Sequence, residues 1–342
     1  MVRTLFALLL LPAALLAADP WVTLTPPKDA KGVGVGKHVV LVSGDEEYRS
    51  EEMMPAMAKI LTTHHGFKTT TLFAIDPKDG KVHPNKSNIP GLEALKDADL
   101  LVIFTRFRNL PDEQMKHIAE YVESGKPVVG FRTSTHAFTT SGEKYGKYHW
   151  QSKVKGYEQG FGKQVLGETW VSHHGNHNQM GTRGVVATGQ EKNPILKGIE
   201  PGSIFGTTDV YGVNLPLKDC TPVVMGQCTE TLKPDSKAVT DKPDAKKKFN
   251  DPMMPVAWTK TYTGESKKAA RVFTSTMGCA EDFAYEGTRR LFVNGCLWAM
   301  GLEEKIPDKS NVDLVGEYKP THFAAKKDDA WKPGKLPEEY FK

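Results

Sequence analysis

The chain has 342 residues, of which 39% are hydrophobic and 25% are charged. This composition is typical of a globular protein, so it excludes intrinsic disorder, and the length allows one large core or two modest ones. The 45 basic and 41 acidic residues alternate in short clusters around a formal net charge of +4, so we expect no nucleic-acid partner.

The first eighteen residues differ from the rest of the chain. Arg3 precedes an apolar run from Leu5 to Leu16, and two alanines follow at positions 17 and 18. This pattern is typical of a cleaved secretory signal, because the run is too short to span a bilayer comfortably. We therefore expect an exported protein, periplasmic or extracellular, with no stable membrane insertion after cleavage.

After a leader at 19–36, strands and helices alternate. Short apolar runs predict four strands: HVVLVSG from His38, KTTTLFAI from Lys68, LLVIFT from Leu100 and KPVVGF from Lys126. One helix is predicted after Ser50 as its N-cap, and a second begins at Pro111 and stops at Gly125. This alternation predicts an α/β fold with a mainly parallel sheet that carries helices on both faces.

The alternation fails between Thr133 and about Leu217, where Gly, His, Tyr and Trp dominate. Such a long irregular stretch inside a compact domain is usually functional or inserted. Three late strands are then predicted within TPVVMG, MPVAWTKTY and ARVFTSTMG, some of them antiparallel, with a flexible insertion at 230–254 between the first two. A last helix is predicted from Thr288 to Leu302. We expect one domain over 37–303 and a tail at 304–342 that wraps the surface.

Polar side chains follow three of the predicted parallel strands. In an open parallel sheet, ligands bind beyond the carboxyl ends of the strands, where these residues should meet. The candidates are Asp45, Glu46, Glu47 and Arg49 after the first strand, Arg106 and Arg108 after the third, and Arg132, Ser134 and His136 after the fourth. Each taken alone could also be a solvated loop residue or a helix cap.

Several segments, in this order and spacing, resemble the ThuA-like family, which is named for trehalose utilisation. They include FTRFRNLPDEQMKHIAEYVESGKPVVGFRTSTHAF, LGETWVSHHG, NPILKGI, TTDVYGVN and EGTRRLFVNGCLWAMGLE, and together they span about His38 to Glu303. The resemblance implies a three-layer, flavodoxin-like fold of the class I glutamine amidotransferase type. It also implies a role in carbohydrate metabolism, with a small carbohydrate as the partner.

The resemblance places Arg132 where a glutamine amidotransferase has its cysteine nucleophile. A guanidinium has no accessible neutral form near pH 7, so glutamine hydrolysis by the usual route is excluded. Arg132 is instead expected to bind an anion or a sugar hydroxyl. Ser134 is a weaker alternative as nucleophile, because no Ser-His-Asp pattern supports it.

Three histidines, His173, His174 and His177, lie within five residues. By resemblance, His173 or His174 is the site histidine, with Asp209 and Tyr211 beside it. Neighbours in an extended segment point to opposite faces, so the two should not share one ligand, and His177 is the weakest candidate. A divalent metal such as Zn²⁺ could be held by His136, one of the pair (His174) and a carboxylate, Asp45 or Asp209.

Four cysteines, Cys220, Cys228, Cys279 and Cys296, could form disulfides in an exported protein or remain buried thiols. Family members often carry Gly-His where this chain has Gly278-Cys279. A mechanism that needs that second histidine is therefore in doubt, and Cys279 could be paired with Cys296.

Two classes of function remain. The first is a sugar-active lyase, isomerase or hydrolase acting on a keto-sugar or glycoside, in which His136 and His173 or His174 exchange protons and Asp45, Glu47 or Asp209 orients them. Its substrate-binding residues would include Glu47, Arg49, Arg106, Arg132, Trp150, Trp170 and Tyr211. The second is a noncatalytic carbohydrate-binding or scaffolding protein, for which aromatic stacking and arginine contacts suffice. The sequence leaves the oligomeric state open.

Overall fold

The computed structural model describes residues 19–325, 328–332 and 334–342, so the expected secretory signal lies outside the described residues. The strands in chain order are β1 (Trp21–Leu24), β2 (His38–Gly44), β3 (Lys68–Phe73), β4 (Leu100–Thr105), β5 (Val128–Phe131), β6 (Ser172–His173), β7 (Thr182–Val186), β8 (Phe205–Gly206), β9 (Tyr211–Gly212), β10 (Cys220–Cys228), β11 (Met254–Thr263) and β12 (Ala269–Ser275). The α-helices are α1 (Ser50–His65), α2 (Asp112–Glu123) and α3 (Glu286–Ala299).

Ten of these strands form one mixed sheet in the order β1-β3-β2-β4-β5-β12-β11-β10-β7-β8. The five from β3 to β12 run parallel, whereas β1 and the strands beyond β12 pair antiparallel. The protein is therefore α/β, with a parallel centre and antiparallel additions at both sides. All the predicted strands are present, and the late ones include the expected antiparallel pairs.

The core consists of two layers of apolar side chains, one on each face of the sheet. In β2, Val39 and Leu41 pack with α1 and α3, whereas Val40 and Val42 pack with α2. Successive side chains of a strand point to opposite faces, so a fully apolar run such as β2 is buried on both. The continuous apolar pattern of the sequence has this cause.

Local details differ from the sequence predictions at three points. The leader contains β1, which pairs with β3 and was not predicted, because four half-buried residues give little periodic signal. Ser50 is the first residue of α1 rather than its N-cap, since Arg49 precedes the helix in a left-handed conformation and the Ser50 hydroxyl bonds Ser43 instead. Helix α3 begins two residues before the predicted Thr288, whose hydroxyl donates to the carbonyl of Phe205.

The irregular stretch between β5 and β10 contains only short strands. Among them, β6 and β9 pair with each other outside the main sheet and bring His173 opposite Tyr211. The segment predicted as an insertion connects β10 to β11 and is anchored by Asp241, whose carboxylate accepts from the backbone N–H groups of Phe249 and Asn250.

The C-terminal tail crosses the carboxyl edge of the sheet instead of leaving the molecule. Carbonyl groups of Asn311 and Asp313 contact the rings of His65 and His64 at the end of α1. Further along, Phe323 is fully buried, and Ala324 donates its N–H to the carbonyl of Glu47 at 3.0 Å. The tail therefore belongs to the folded unit and lies beside the loop after β2.

Among the described residues, no helix combines the length and apolar character needed to cross a membrane.

Candidate functional site

The loop after β2 is shaped by Asp45. One carboxylate oxygen accepts the backbone N–H groups of Glu47 at 2.8 Å and Tyr48 at 2.5 Å, and the other accepts the hydroxyl of Thr133 at 2.5 Å. Asp45 is fully buried. It therefore holds the ends of β2 and β5 together, and its geometry favours a structural role over the catalytic one expected from the sequence.

The residues after β4 pair with the acidic residues of this loop. Arg106 Nη2 lies 3.0 Å from Glu47 Oε2, and Arg106 also donates to Glu46. Arg108 Nη2 lies 3.1 Å from the second oxygen of Glu46. Burial and the nearby charge of Asp45 raise the pKa of Glu46, which the two arginines oppose. This ion-pair network fixes Glu47 at the edge of the site.

Arg132 occupies the turn directly after β5, where its φ of 42° is left-handed. The guanidinium lies between the rings of Tyr48 and Tyr211, at 4.4 and 3.9 Å from their centroids. It donates to the Asp209 carboxylate at 3.0 Å and to the backbone carbonyls of Asp209 and Thr276. Because Arg132 is fully buried, this geometry gives it the task of positioning Asp209 rather than the expected contact with a ligand.

Asp209 is the centre of the site. It is fully buried, and its two oxygens face two imidazoles: Oδ2 lies 2.8 Å from His173 Nδ1, and Oδ1 lies 3.1 Å from His177 Nδ1. Burial alone would raise the pKa of Asp209, but the hydrogen bonds of His173 and His177 and the charge of Arg132 lower it overall. The carboxylate is thus ionised and rigidly held at neutral pH.

The structure decides between the three neighbouring histidines. His173 faces Asp209, whereas His174 points the other way, with Nε2 2.8 Å from the carbonyl oxygen of Phe249. The two are on opposite sides of the extended segment, as their alternation predicts. The sequence ranked His177 as the weakest candidate, whereas in the structure the chain turns back after Gly175 and brings the His177 ring to within 4.7 Å of the His173 ring, centroid to centroid.

His136 lies in an aromatic cluster beside this centre. Its ring is 5.2 Å from Trp170, 6.3 Å from Trp150, 4.7 Å from Phe107 and 6.2 Å from Tyr211, centroid to centroid. Burial, together with the positive charges of nearby arginines, lowers the pKa of His136 well below its ordinary value. His136 is therefore a neutral imidazole at pH 7 that can exchange hydrogen bonds but is poorly suited to carry a proton.

Other candidates lie outside this centre. Arg49 pairs with Glu51 and Glu52 and stacks on Trp331 of the tail, at 4.7 Å from the ring centroid. Ser134 is fully buried and donates its hydroxyl to the carbonyl of Ile103, so it does not serve as a nucleophile.

All four cysteines are free thiols, which answers the question of disulfide pairing. Burial raises the pKa of Cys279 well above its ordinary value, and the thiol lies at the amino-terminal side of a short turn with Asp282. Cys279 is therefore neither paired with Cys296 nor activated for catalysis.

The sequence did not point to two aromatic residues of the site. Tyr48 lies over Arg132, and Phe323 of the tail stacks on Tyr48 at 5.3 Å and meets the edge of His177 at 5.4 Å. The only signal for Tyr48 was its place in the loop after β2. No local pattern could have identified Phe323, because its contacts are with residues far away in the chain.

A cavity of about 520 Å³ lies at the opposite, amino-terminal edge of the sheet, among the residues that precede β2, β4 and β5. Its basic side chains have partners in the protein: Lys37 pairs with Asp99, Arg271 with Glu303, and Lys126 donates to the Lys96 carbonyl. This cavity contains none of the histidines, so the carboxyl edge remains the candidate site.

Among the described residues, His173, His177 and Asp209 form a group whose donor atoms all lie within 4.8 Å of one another. This set differs from the predicted one of His136, His174 and Asp209. His174 faces Phe249, and His136 packs against the rings of Trp170 and Tyr211, so neither belongs to the group.

A solved structure of a ThuA-like protein from Parabacteroides merdae is similar over 86% of this chain and 98% of that one, at 13% identity and a TM-score of 0.47. No curated protein matched. The family model described as ThuA, trehalose utilisation, matches residues 38–299, which include every residue of the site except Phe323. The chain belongs to the ThuA family.

Proposed function

We propose that this protein is an exported enzyme of carbohydrate metabolism that acts on a keto-sugar or glycoside by proton transfer at His173. The family supports the general role in carbohydrates. Export rests on the secretory pattern of residues 1–18, and the composition argues against a nucleic-acid partner.

The proposed fold is the three-layer, flavodoxin-like fold of class I glutamine amidotransferases, formed by residues 37–303 as one domain with the tail at 304–342. Its support is the parallel order β3-β2-β4-β5-β12 with helices packed on both faces. The turn after β5 carries Arg132 in place of a cysteine, so the chemistry proposed is not that of a glutamine amidotransferase.

The single observation that carries the proposal is the contact of His173 Nδ1 with Asp209 Oδ2 at 2.8 Å. The buried carboxylate fixes the ring with its N–H on Nδ1, so the lone pair of Nε2 is directed away from Asp209. The His173 side chain is 38% exposed and can meet a substrate. An imidazole oriented in this way can remove a proton from a hydroxyl group or from a carbon beside a carbonyl group and later return it.

Aromatic side chains next to His173 suit a sugar ring. Trp170 lies 6.0 Å from His173 and 6.2 Å from Trp150, centroid to centroid, and both tryptophans are partly exposed. The Trp170 indole N–H is buried and has no hydrogen-bond partner among the described residues. Since such donors are normally paired, we assign it to a substrate hydroxyl.

The test is turnover of disaccharides and their keto derivatives by purified wild type, His173→Ala and His174→Ala. We expect wild type and His174→Ala to convert at least one compound, and His173→Ala to lose at least about 100-fold in kcat, the usual worth of a positioned general base. His174 is the matched control because it is the adjacent histidine and faces the other way.

Two results would overturn the enzyme proposal. One is equal turnover by wild type and His173→Ala. The other is sugar binding without any conversion by wild type, which would instead identify a noncatalytic carbohydrate-binding protein. Thermal unfolding of each variant separates loss of function from loss of fold.

A further inference from the structure

His177 has carboxylates at both of its ring nitrogens. Nδ1 lies 3.1 Å from Asp209 Oδ1, and Nε2 lies 3.4 Å from Glu47 Oε1. A neutral imidazole has one N–H, so it can donate to only one of these oxygens and directs a lone pair at the other. With the N–H on Nε2, 3.4 Å from Glu47, the lone pair of Nδ1 points toward Asp209, where a cation could be bound by both groups.

This arrangement matches a recurrent feature of protein metal sites. An imidazole that ligates a metal through one nitrogen usually donates its other N–H to a carboxylate or carbonyl group. Arg106 lies 3.0 Å from Glu47, so the Glu47 carboxylate beside Nε2 of His177 is fixed in place. His177 is thus oriented with Nδ1 toward Asp209.

The donor set is one ring nitrogen from each of His173 and His177 and the Asp209 carboxylate, whose Oδ2 faces His173 and whose Oδ1 faces His177. The donor atoms of the three residues lie within 4.8 Å of one another. Donor atoms around a tetrahedral Zn²⁺ are separated by about 3.3 Å, given bonds of about 2.0–2.1 Å. The contacts of Asp209 with His173 and His177, at 2.8 and 3.1 Å, are close to that separation. The His173 and His177 side chains are 38% and 30% exposed, so the open side of the group can admit a further ligand.

Arg132 determines where the carboxylate can point. It contacts Asp209 through the carboxylate and through the backbone carbonyl, and both residues are fully buried. The positive charge opposes a nearby cation, and Arg106 and Arg108 pair with Glu46 and Glu47, but with Asp45 and Asp209 the carboxylates of this edge still outnumber its three arginines by one. The group is therefore rigid and has negative charge around it, two properties that favour a divalent ion.

We propose that His173, His177 and Asp209 bind a divalent transition-metal ion of the Zn²⁺ type, with the Glu47 carboxylate beside the other ring nitrogen of His177. The inference concerns the same site and the same substrate class as the proposed function, but it gives His173 a different task. A bound ion would supply Lewis-acid chemistry at a sugar oxygen. His173 would then help to hold the ion instead of accepting a proton from the substrate.

The test uses the purified full chain, stripped with a chelator and titrated with Zn²⁺ by calorimetry and with Co²⁺ by visible absorption. We expect one ion per chain in wild type and in His174→Ala. His173→Ala and His177→Ala should weaken binding by at least about 100-fold. Glu47→Gln should weaken it by about 10-fold, the lower end of the effect seen when the partner of a metal-ligating histidine is changed. Thermal unfolding confirms that each variant is folded.

Two results would overturn the metal site: wild type that binds no stoichiometric Zn²⁺, or His174→Ala that loses as much affinity as His173→Ala. The metal site and the proposed enzyme activity can each be disproved without the other. If wild type binds no Zn²⁺ but converts a sugar without metal, only the metal site is disproved. If wild type binds one Zn²⁺ and the His173 and His177 variants do not, but no sugar is converted, the metal site stands and the enzyme proposal is disproved.

Discussion

Three residues other than glycine adopt left-handed backbone conformations in loops that follow parallel strands. Arg49, Phe107 and Arg132 have φ values of 62°, 50° and 42°. Such a conformation costs about 1–2 kcal/mol for a residue other than glycine. The side chains of Phe107 and Arg132 contact residues of the candidate site, His136 and Asp209, so part of the backbone strain lies at the site, as is common for functional sites. At Arg132 the ion pair with Asp209 helps to offset it.

Glu51 makes the free energy of unfolding depend on pH. It is fully buried, and burial raises its pKa to about 8 although Arg49 lies 2.7 Å away. Between the ordinary value of 4.5 and about 8, the folded state keeps this proton and the unfolded state releases it. We therefore expect wild type to lose roughly 1 kcal/mol of unfolding free energy per pH unit across this window, and Glu51→Gln to lose less.

The measurement is urea unfolding of both proteins at several pH values from 5 to 9. Glu113→Gln is the control, because Glu113 is an exposed acidic residue in the first turn of α2. It should leave the pH dependence of wild type in place. Identical slopes for wild type and Glu51→Gln would contradict the prediction.

At the scale of the element, the turn Arg132–His136 depends on close backbone packing. A Cβ atom on Gly162 would lie 1.9 Å from the carbonyl oxygen of Thr135. Backbone atoms on both sides have little room to move, so the methyl group must displace the turn that carries His136. This packing explains why the irregular stretch holds a glycine at that position.

Gly162→Ala should lower the free energy of unfolding by about 1–3 kcal/mol, the usual cost of an overpacked site, and should disturb the fluorescence of nearby Trp170. Gly146→Ala is a matched control from the same stretch, since a Cβ there meets no atom within 4 Å. It should be neutral or slightly stabilising. Equal stability of the two variants in urea would refute this account.

The strands and helices that could be predicted from the sequence are those whose pattern lies in neighbouring residues. β2, β4 and α2 follow from apolar runs and helical periodicity, which neighbouring residues determine. The choice between His173, His174 and His177 depended on a chain reversal and on Asp209, at least 32 positions away. Pairings over such distances leave no pattern in the neighbouring residues, so the family resemblance supplied Asp209 but could not rank His177.

At the scale of the whole molecule, the chain has a core large enough to do without crosslinks. Two apolar layers cover the sheet, and three of the four thiols, those of Cys228, Cys279 and Cys296, are buried. Disulfides are most needed where a small domain cannot form such a core. Free thiols are therefore compatible with the proposed export.

A thiol-specific reagent should modify only Cys220 in the native protein, and slowly, because Cys220 is partly exposed and burial raises the pKa of its thiol. In denaturant without a reducing agent, all four cysteines should react. Fewer than four reactive thiols under those conditions would indicate a disulfide. The Cys220→Ser variant, which should show no reaction in the native state, is the control for the assignment.

The position of Phe323 affects when the site is completed during synthesis. The sheet, both site histidines and Asp209 are all translated before this residue, which is fully buried against Tyr48 and contacts His177. A growing polypeptide can thus form its sheet while one wall of the site is still missing. Maturation of the site is in this way coupled to the last stage of translation, and a partly made chain lacks a finished site.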